Sequence, residues 1–268
     1  MQPTLSEIHR YPIKSIAADS LQSAVVEARG LRGDRRWMVV DAGGRVLTGR
    51  ELGALTQISA HIDGDGDALT LAAPGRNMLS TQADIGRPRV HVTVWKNEVE
   101  AVPANPAADA WISDYLGQPA RLVFMDEDAR RPVDPDHSCP GDEVSFADGY
   151  PLLLISQAAL DALNARLTKP VSMQRFRPNL VVAGTRPHAE DEWRRVRIGA
   201  VEFDVVKPCV RCVFTIVDPD SGRRDPNGEP LRTLVGYRRT PSGVTFGQNL
   251  IPRGVGSIRI GDAVTVLA

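Results

Sequence analysis

The sequence predicts a mainly β protein with a few packed helices, an α+β arrangement. Three observations carry this: short runs rich in β-branched residues, Gly- and Asp-rich turns between them, and only two stretches with helical spacing and caps. Ser23 to Arg29 and Trp37 to Asp41 are the first runs, separated by Gly30-Leu31-Arg32-Gly33-Asp34. A Gly43-Gly44 turn then leads into Arg45-Val46-Leu47-Thr48. Ala68 to Ala72 and the alternating Val90, Val92 and Val94 continue this meander or barrel texture.

The first helix is signalled by Asn105 as N-cap, Pro106 at the first helical position, apolar Ala110, Ile112 and Tyr115-Leu116, and Gly117 as a stop. The second starts at Ser156, whose hydroxyl can cap Gln157 to Leu167, with Leu160, Leu163 and Leu167 on one stripe. Between them, Asp126 to Glu143 is crowded with Asp, Arg, Pro and Gly and reads as a long surface loop. It is either a connector or, through Arg130 to Asp134, a border of a functional site. Trp37, Trp95 and Trp111 read as core residues.

With 268 residues and 42% apolar content, the chain can bury a substantial core. Thirty-two basic and 33 acidic residues leave a formal charge of −1, which gives no electrostatic reason to expect nucleic acid or an anionic membrane as partner. Three cysteines do not make a secreted disulfide framework, and the start Met1 to Glu7 lacks the basic and apolar regions of a signal peptide. The expected location is cytoplasmic.

The segment Lys207-Pro208-Cys209-Val210-Arg211-Cys212-Val213-Phe214-Thr215-Ile216-Val217-Asp218 carries the chemistry. Val205-Val206 and Val213 to Val217 read as strand, so Pro208 to Cys212 is expected to connect two strands. A thiol there can bind a soft metal as thiolate, and Arg211 favours that charge while offering donors to phosphate. Zinc normally requires four side-chain ligands, and the remaining cysteine, Cys139, lies far off in the long loop. A redox dithiol normally opens a helix. From the residues alone, a ligand role and plain packing as small hydrophobes both stay open.

The cysteine segment resembles the signature of the MOSC family, named for the C-terminal part of molybdenum cofactor sulfurase. The resemblance extends, in the family's order, over Tyr11-Pro12-Ile13-Lys14-Ser15, Gly33-Asp34-Arg35-Arg36-Trp37 and Arg175-Phe176-Arg177-Pro178-Asn179. It continues through Glu229-Pro230-Leu231-Arg232-Thr233-Leu234, Phe246-Gly247-Gln248-Asn249 and Gly261-Asp262. Within the family the chain is most similar to the two-part amidoxime-reducing components and their bacterial relatives. The resemblance implies a MOSC N-terminal β-barrel domain over residues 1–122 packed on a MOSC domain over 123–268, with the site in the cleft between these interleaved parts.

It further implies molybdenum cofactor (molybdopterin) as the cofactor, with Cys212 as both metal ligand and catalytic thiolate. Lys14, Ser15, Arg35, Arg177 and Arg211 would gather at its phosphate, and Asn179 would orient the pterin amide. Cys209 would be a packed neighbour, and Cys139 incidental. Asp218 reads as structural, whereas Phe246-Gly247-Gln248-Asn249, a glycine beside two amides, either approaches the cofactor closely or forms a strand bend. The implied reaction is two-electron reduction of a small N-hydroxylated substrate. A C-terminal iron–sulfur domain is not expected, so the expected electron source is a separate protein, a cytochrome or a ferredoxin with its flavin reductase. A sulfur carrier with a Cys212 persulfide and a non-enzymatic cofactor carrier are the alternatives. Pyridoxal phosphate is not expected, since nothing resembles the lysine-bearing domain that holds it.

Overall fold

The structure, a computed structural model, describes residues 2–63 and 66–268. The largest sheet has nine strands among the described residues. Along it lie Val264–Val266, Arg195–Ile198, Val201–Val210, Gly243–Pro252, Leu152–Ser156, Leu180–Ala183, Thr4–Arg10 and Asp19–Leu21, with Arg239–Thr240 paired to Gly243–Pro252 at the side. Leu152–Ser156 and Leu180–Ala183 run parallel, and the helix Gln157–Asn164 lies in the crossover between them. A four-stranded sheet, Trp37–Val40, Arg121–Phe124, Asn97–Pro103 and Val90–Val94, forms the other half together with the meander Ser59–Asp63, Ala68–Ala72 and Leu79–Gln82. The protein is thus mainly β, with α-helices at Pro106–Leu116, Gln157–Asn164 and Leu231–Tyr237 among the described residues.

Both ends of the chain pair with segments from the other half of the sequence. Thr4–Arg10 pairs with Leu180–Ala183, and Gly256–Arg259 pairs with Ser23–Glu27. Alternation of buried and half-buried residues along Ala68–Ala72 and the first half of Val201–Val210 shows why these segments are strands: one face of each is covered by apolar core. Leu5, Ile8, Leu154, Leu180, Phe203 and Leu250 form the core under the large sheet, while Trp37, Val39, Leu69, Ile112 and Leu122 form that of the other half.

The helix signals hold. Asn105 Oδ1 accepts from the Ala108 N–H, Pro106 opens the helix, and Gly117 closes it at φ +67°. Ser156 caps Ala159 N–H, but that helix ends at Asn164, three residues short of Leu167, which still packs on the same apolar cluster.

Three expectations are corrected. Val213–Ile216 is a 3-10 turn, because the backbone following Cys212 curls back so that Thr215 N–H and Oγ1 both donate to the Cys212 carbonyl. The preceding strand does not stop before Pro208: Val201–Val210 runs through Cys209, and register shifts between Val205 and Lys207 and between Pro208 and Val210 accommodate the proline. Arg45 to Thr48 makes only isolated bridges, Arg45 to Thr93 and Val46 to Val40.

Candidate functional site

The two halves enclose a cleft of about 120 Å³. Its wall includes Lys14, Ser15 and Arg35 from one half and Arg177, Asn179, Arg211 and Cys212 from the other. All seven residues singled out in the sequence therefore meet in one place. Cys209 also lines it while packing partly on the cluster around Phe176 and Phe246. Cys139 is exposed in the long loop and does not line it.

Each side chain is placed by a local device. Lys14 follows the strand Thr4–Arg10; its N–H donates to Trp37 O, which fixes the turn, and its Nζ donates to Phe146 O at 2.8 Å and to Asp148 Oδ1 at 2.5 Å. Burial pushes the ammonium down to about 8, and Asp148 partly offsets that. Asp148 is 69% exposed in its side chain. Against the opposing effect of burial, Lys14 holds its carboxyl below the usual range. Arg50 stands 3.8 Å from the same carboxylate.

Cys212 lies two residues past the strand Val201–Val210, extended at φ −119° and ψ 179°, and is half-buried on the cleft wall. Arg211 does not donate to it. Its Nη1 donates to Cys209 Sγ at 2.9 Å and its Nη2 to Phe176 O at 2.6 Å. Arg177 donates to Ile16 O at 2.6 Å, and burial pushes its guanidinium down to about 10. Neither Arg177 nor Arg211 has a carboxylate ion-pair partner among the described residues. Arg177 Nη2 and Arg211 Nε are buried with no hydrogen-bond partner.

Backbone strain marks the same place. Five described non-glycine residues have positive φ, and four of them, Ser15 (73°), Arg35 (48°), Trp95 (56°) and Arg177 (57°), line the cleft. Each such residue costs on the order of 1 kcal/mol or more, so their concentration here points to a built site.

Sequence reasoning missed several members. Trp95 is not core: it sits in the two-residue connection between Val90–Val94 and Asn97–Pro103, 37% exposed, with its ring 4.2 Å from Arg50 Cζ and 5.1 Å from Lys14 Nζ. Its sequence signal was the hairpin spacing around it. Trp37 is fully buried, as expected, and Trp111 stacks on Tyr115 at the edge of the core. Asp34, Asp148, Arg50 and Arg175 had drawn no role; Arg175 lines the cleft and pairs with Asp218 at 2.8 Å. Arg131 lies beneath the cleft, buried, donating to Ser145 O at 2.7 Å and Asp148 O at 2.8 Å, so the long loop supports the wall from behind. Gly247 makes a strand bend against the Leu152–Ser156 strand: an added Cβ would fall 2.7 Å from Leu154 O.

Among the described residues six cations and one carboxylate line this cleft, together with two thiols. Such a wall suits an anionic group that also presents a soft acceptor for sulfur. Among the described residues no three His, Cys, Asp or Glu groups cluster as a metal cage.

Residues 2–119 match the MOSC N-terminal beta barrel domain and residues 141–265 match the MOSC domain, so the chain belongs to the MOSC family. It is 37% identical to mitochondrial amidoxime-reducing component 1 of Homo sapiens over 98% of this chain and 83% of that protein. To the Xenopus laevis component 1 it is 33% identical over 97% and 81%. To the molybdenum cofactor sulfurase of Oryza sativa subsp. japonica it is 31% identical over 92% of this chain but 33% of that protein. None of the helices among the described residues is long and apolar enough to cross a membrane.

Proposed function

We propose that this chain seats a molybdenum–pterin cofactor in the cleft with Cys212 as the protein ligand, and reduces small N-hydroxylated compounds with electrons from a separate protein. The observation that carries this reading is the convergence of four distant segments on one cationic wall, where two buried N–H groups, on Arg177 and Arg211, lack partners. An anionic cofactor tail would satisfy those orphans, so the residues fit the group. When bound, that group supplies two-electron reduction of an N–O bond.

The chain's own part is positioning. Arg177 and Arg211 offer donors to a phosphate, and Ser15 and Arg35 border the same wall. Lys14 shares its ammonium between Phe146 O, Asp148 and any incoming anion. Cys212 presents sulfur between the end of a strand and a 3-10 turn whose Thr215 donates twice to the Cys212 carbonyl, which limits its wandering. Trp95 and Asp148 leave an aromatic face and a carboxylate at the cleft for substrate. The names of the amidoxime-reducing relatives support the reductase reading, and the likeness to the rice sulfurase supports a second one, sulfur carriage as a Cys212 persulfide.

Metal and pterin content decides between them. Protein made in a host that synthesises the cofactor is expected to carry molybdenum near one per chain and to lose it in Cys212→Ser. Absence of metal and pterin from the native chain, beside a loaded control protein, overturns the reductase reading and leaves sulfur transfer.

A further inference from the structure

Two guanidinium groups share one aromatic ring in the cleft wall. Arg35 Cζ lies 4.3 Å and Arg177 Cζ 4.1 Å from the centroid of Tyr11, and Arg35 Nη2 donates to Arg177 O at 3.2 Å. Like charges side by side repel, and both residues also hold left-handed backbone. The ring's attraction for cations does not by itself offset both effects.

The opposing charge is Asp34, which is 1% exposed. Its Oδ1 accepts from the Tyr11 N–H at 2.9 Å and from Asn179 Nδ2 at 3.0 Å, and its Oδ2 accepts from Arg35 Nη1 at 2.5 Å. Asn179 completes the set: its Oδ1 accepts from Arg35 Nη1 at 2.8 Å and from the Leu153 N–H at 3.2 Å, and its Nδ2 also donates to His9 O at 3.1 Å. Both donor positions and both acceptor positions of that amide are committed within the protein.

We infer that Asp34, with Asn179, is a positioning residue for the anion-binding wall: its buried carboxylate is the counter-charge that keeps Arg35 and Arg177 together on Tyr11, ready for an anion. Asn179 then acts through Arg35 instead of touching a ligand. The inference rests on reading the cleft as the seat of an anionic cofactor tail.

Coulomb's law makes the test sharp, because removing a negative charge near an anion site strengthens anion binding unless that charge holds the donors in place. Cofactor-free protein from a host unable to make the cofactor is titrated with inorganic phosphate by calorimetry at fixed pH and ionic strength, with a thermal melt of each variant. Asp34→Asn keeps the shape but turns an amide N–H toward donors from Arg35 or Asn179, and it is expected to bind phosphate at least tenfold more weakly than wild type. Equal or tighter binding by folded Asp34→Asn overturns the assignment, as does a lowered melting temperature with unchanged affinity. Should Asp34→Asn fail to fold, Asn179→Ala decides, since it removes the hold on Arg35 and leaves the charge. A loss of threefold or more supports the assignment, and an unchanged affinity overturns it. Wild-type protein that binds no phosphate sinks the anion-site reading itself, and the role of Asp34 with it.

Discussion

Arg211 donates to the sulfur of Cys209, not of Cys212, although both thiols line the same cleft. The contact splits the two cysteines by role: one is tied to a guanidinium and half-packed on the core, and the other is left facing the cleft. Cys209→Ala is therefore expected to cost about 1 kcal/mol of stability through lost packing. It should keep most of its molybdenum in a cofactor-making host, whereas Cys212→Ser should not. Metal analysis beside a urea melt checks both, and metal loss in Cys209→Ala would contradict the split.

Among the described residues Asp148 is the one carboxylate on the cleft wall, and it lies against Lys14 and Arg50. It competes with any other anion for those two cations. Asp148→Asn is expected to bind inorganic phosphate roughly threefold to fivefold more tightly, the scale of one exposed ion pair. This is opposite in sign to the effect expected for Asp34→Asn, although both remove one negative charge.

Lys14 gives anion binding a pH dependence. Its ammonium loses its proton near pH 8 in the free protein, so below that pH the cleft keeps the charge and above it the charge is lost. Phosphate affinity should fall as pH rises beyond about 8, and Lys14→Met should flatten that limb while weakening binding at pH 7. Calorimetric titrations between pH 7 and 9.5 measure it. A wild-type affinity constant across that range would remove Lys14 from the anion site.

His188 should make the fold acid-sensitive. Burial and nearby Arg238 hold its imidazole down to about 4, and neither ring nitrogen has a hydrogen-bond partner. The unfolded chain binds that proton near pH 6.5, so stability is lost as pH falls from about 6.5 toward 4. A His188→Gln variant is expected to show a shallower decline over that window, read from urea midpoints at pH 4.5 and 7.

Close backbone approach joins the turn from Asp218 to Gly222 to the other half. An added Cβ at Gly53 would fall 2.0 Å from Gly222 O, a clash that no side-chain motion relieves. Gly53→Ala is expected to lower stability by about 1–3 kcal/mol and to disturb the Asp218–Arg175 pair beside the cleft. Differential scanning calorimetry and the metal content of the variant test the two parts separately.

Local signals made the helices legible: Asn105, Pro106 and Gly117 act through neighbours a few residues away, and so does Ser156. The seven singled-out residues that line the cleft were legible because each sat in a segment with a recognisable pattern. What escaped depends on distant partners. Val213 to Val217 has the composition of a strand, yet the turn at Cys212 and the packing of Phe214 against Gly49 override that preference. Trp95 has the composition of core, but its backbone stands in the left-handed region at a hairpin tip, where the ring turns to Arg50 and Lys14. Asp34 looked like a turn residue beside Gly33, and its value lies in Asn179, 145 positions along.

The pairing of the first strand bears on how the cleft is filled and emptied. A strand from the first residues is sewn into the large sheet beside Leu180–Ala183, so Lys14 and Ser15, which follow the first strand, and Arg177 and Asn179, which lead into the second, are spaced by one strand pairing. Separating Lys14 from Asn179 requires opening that pairing, an event of the local-unfolding kind. Filling or emptying the cleft leaves the spacing of these residues unchanged unless the pairing opens.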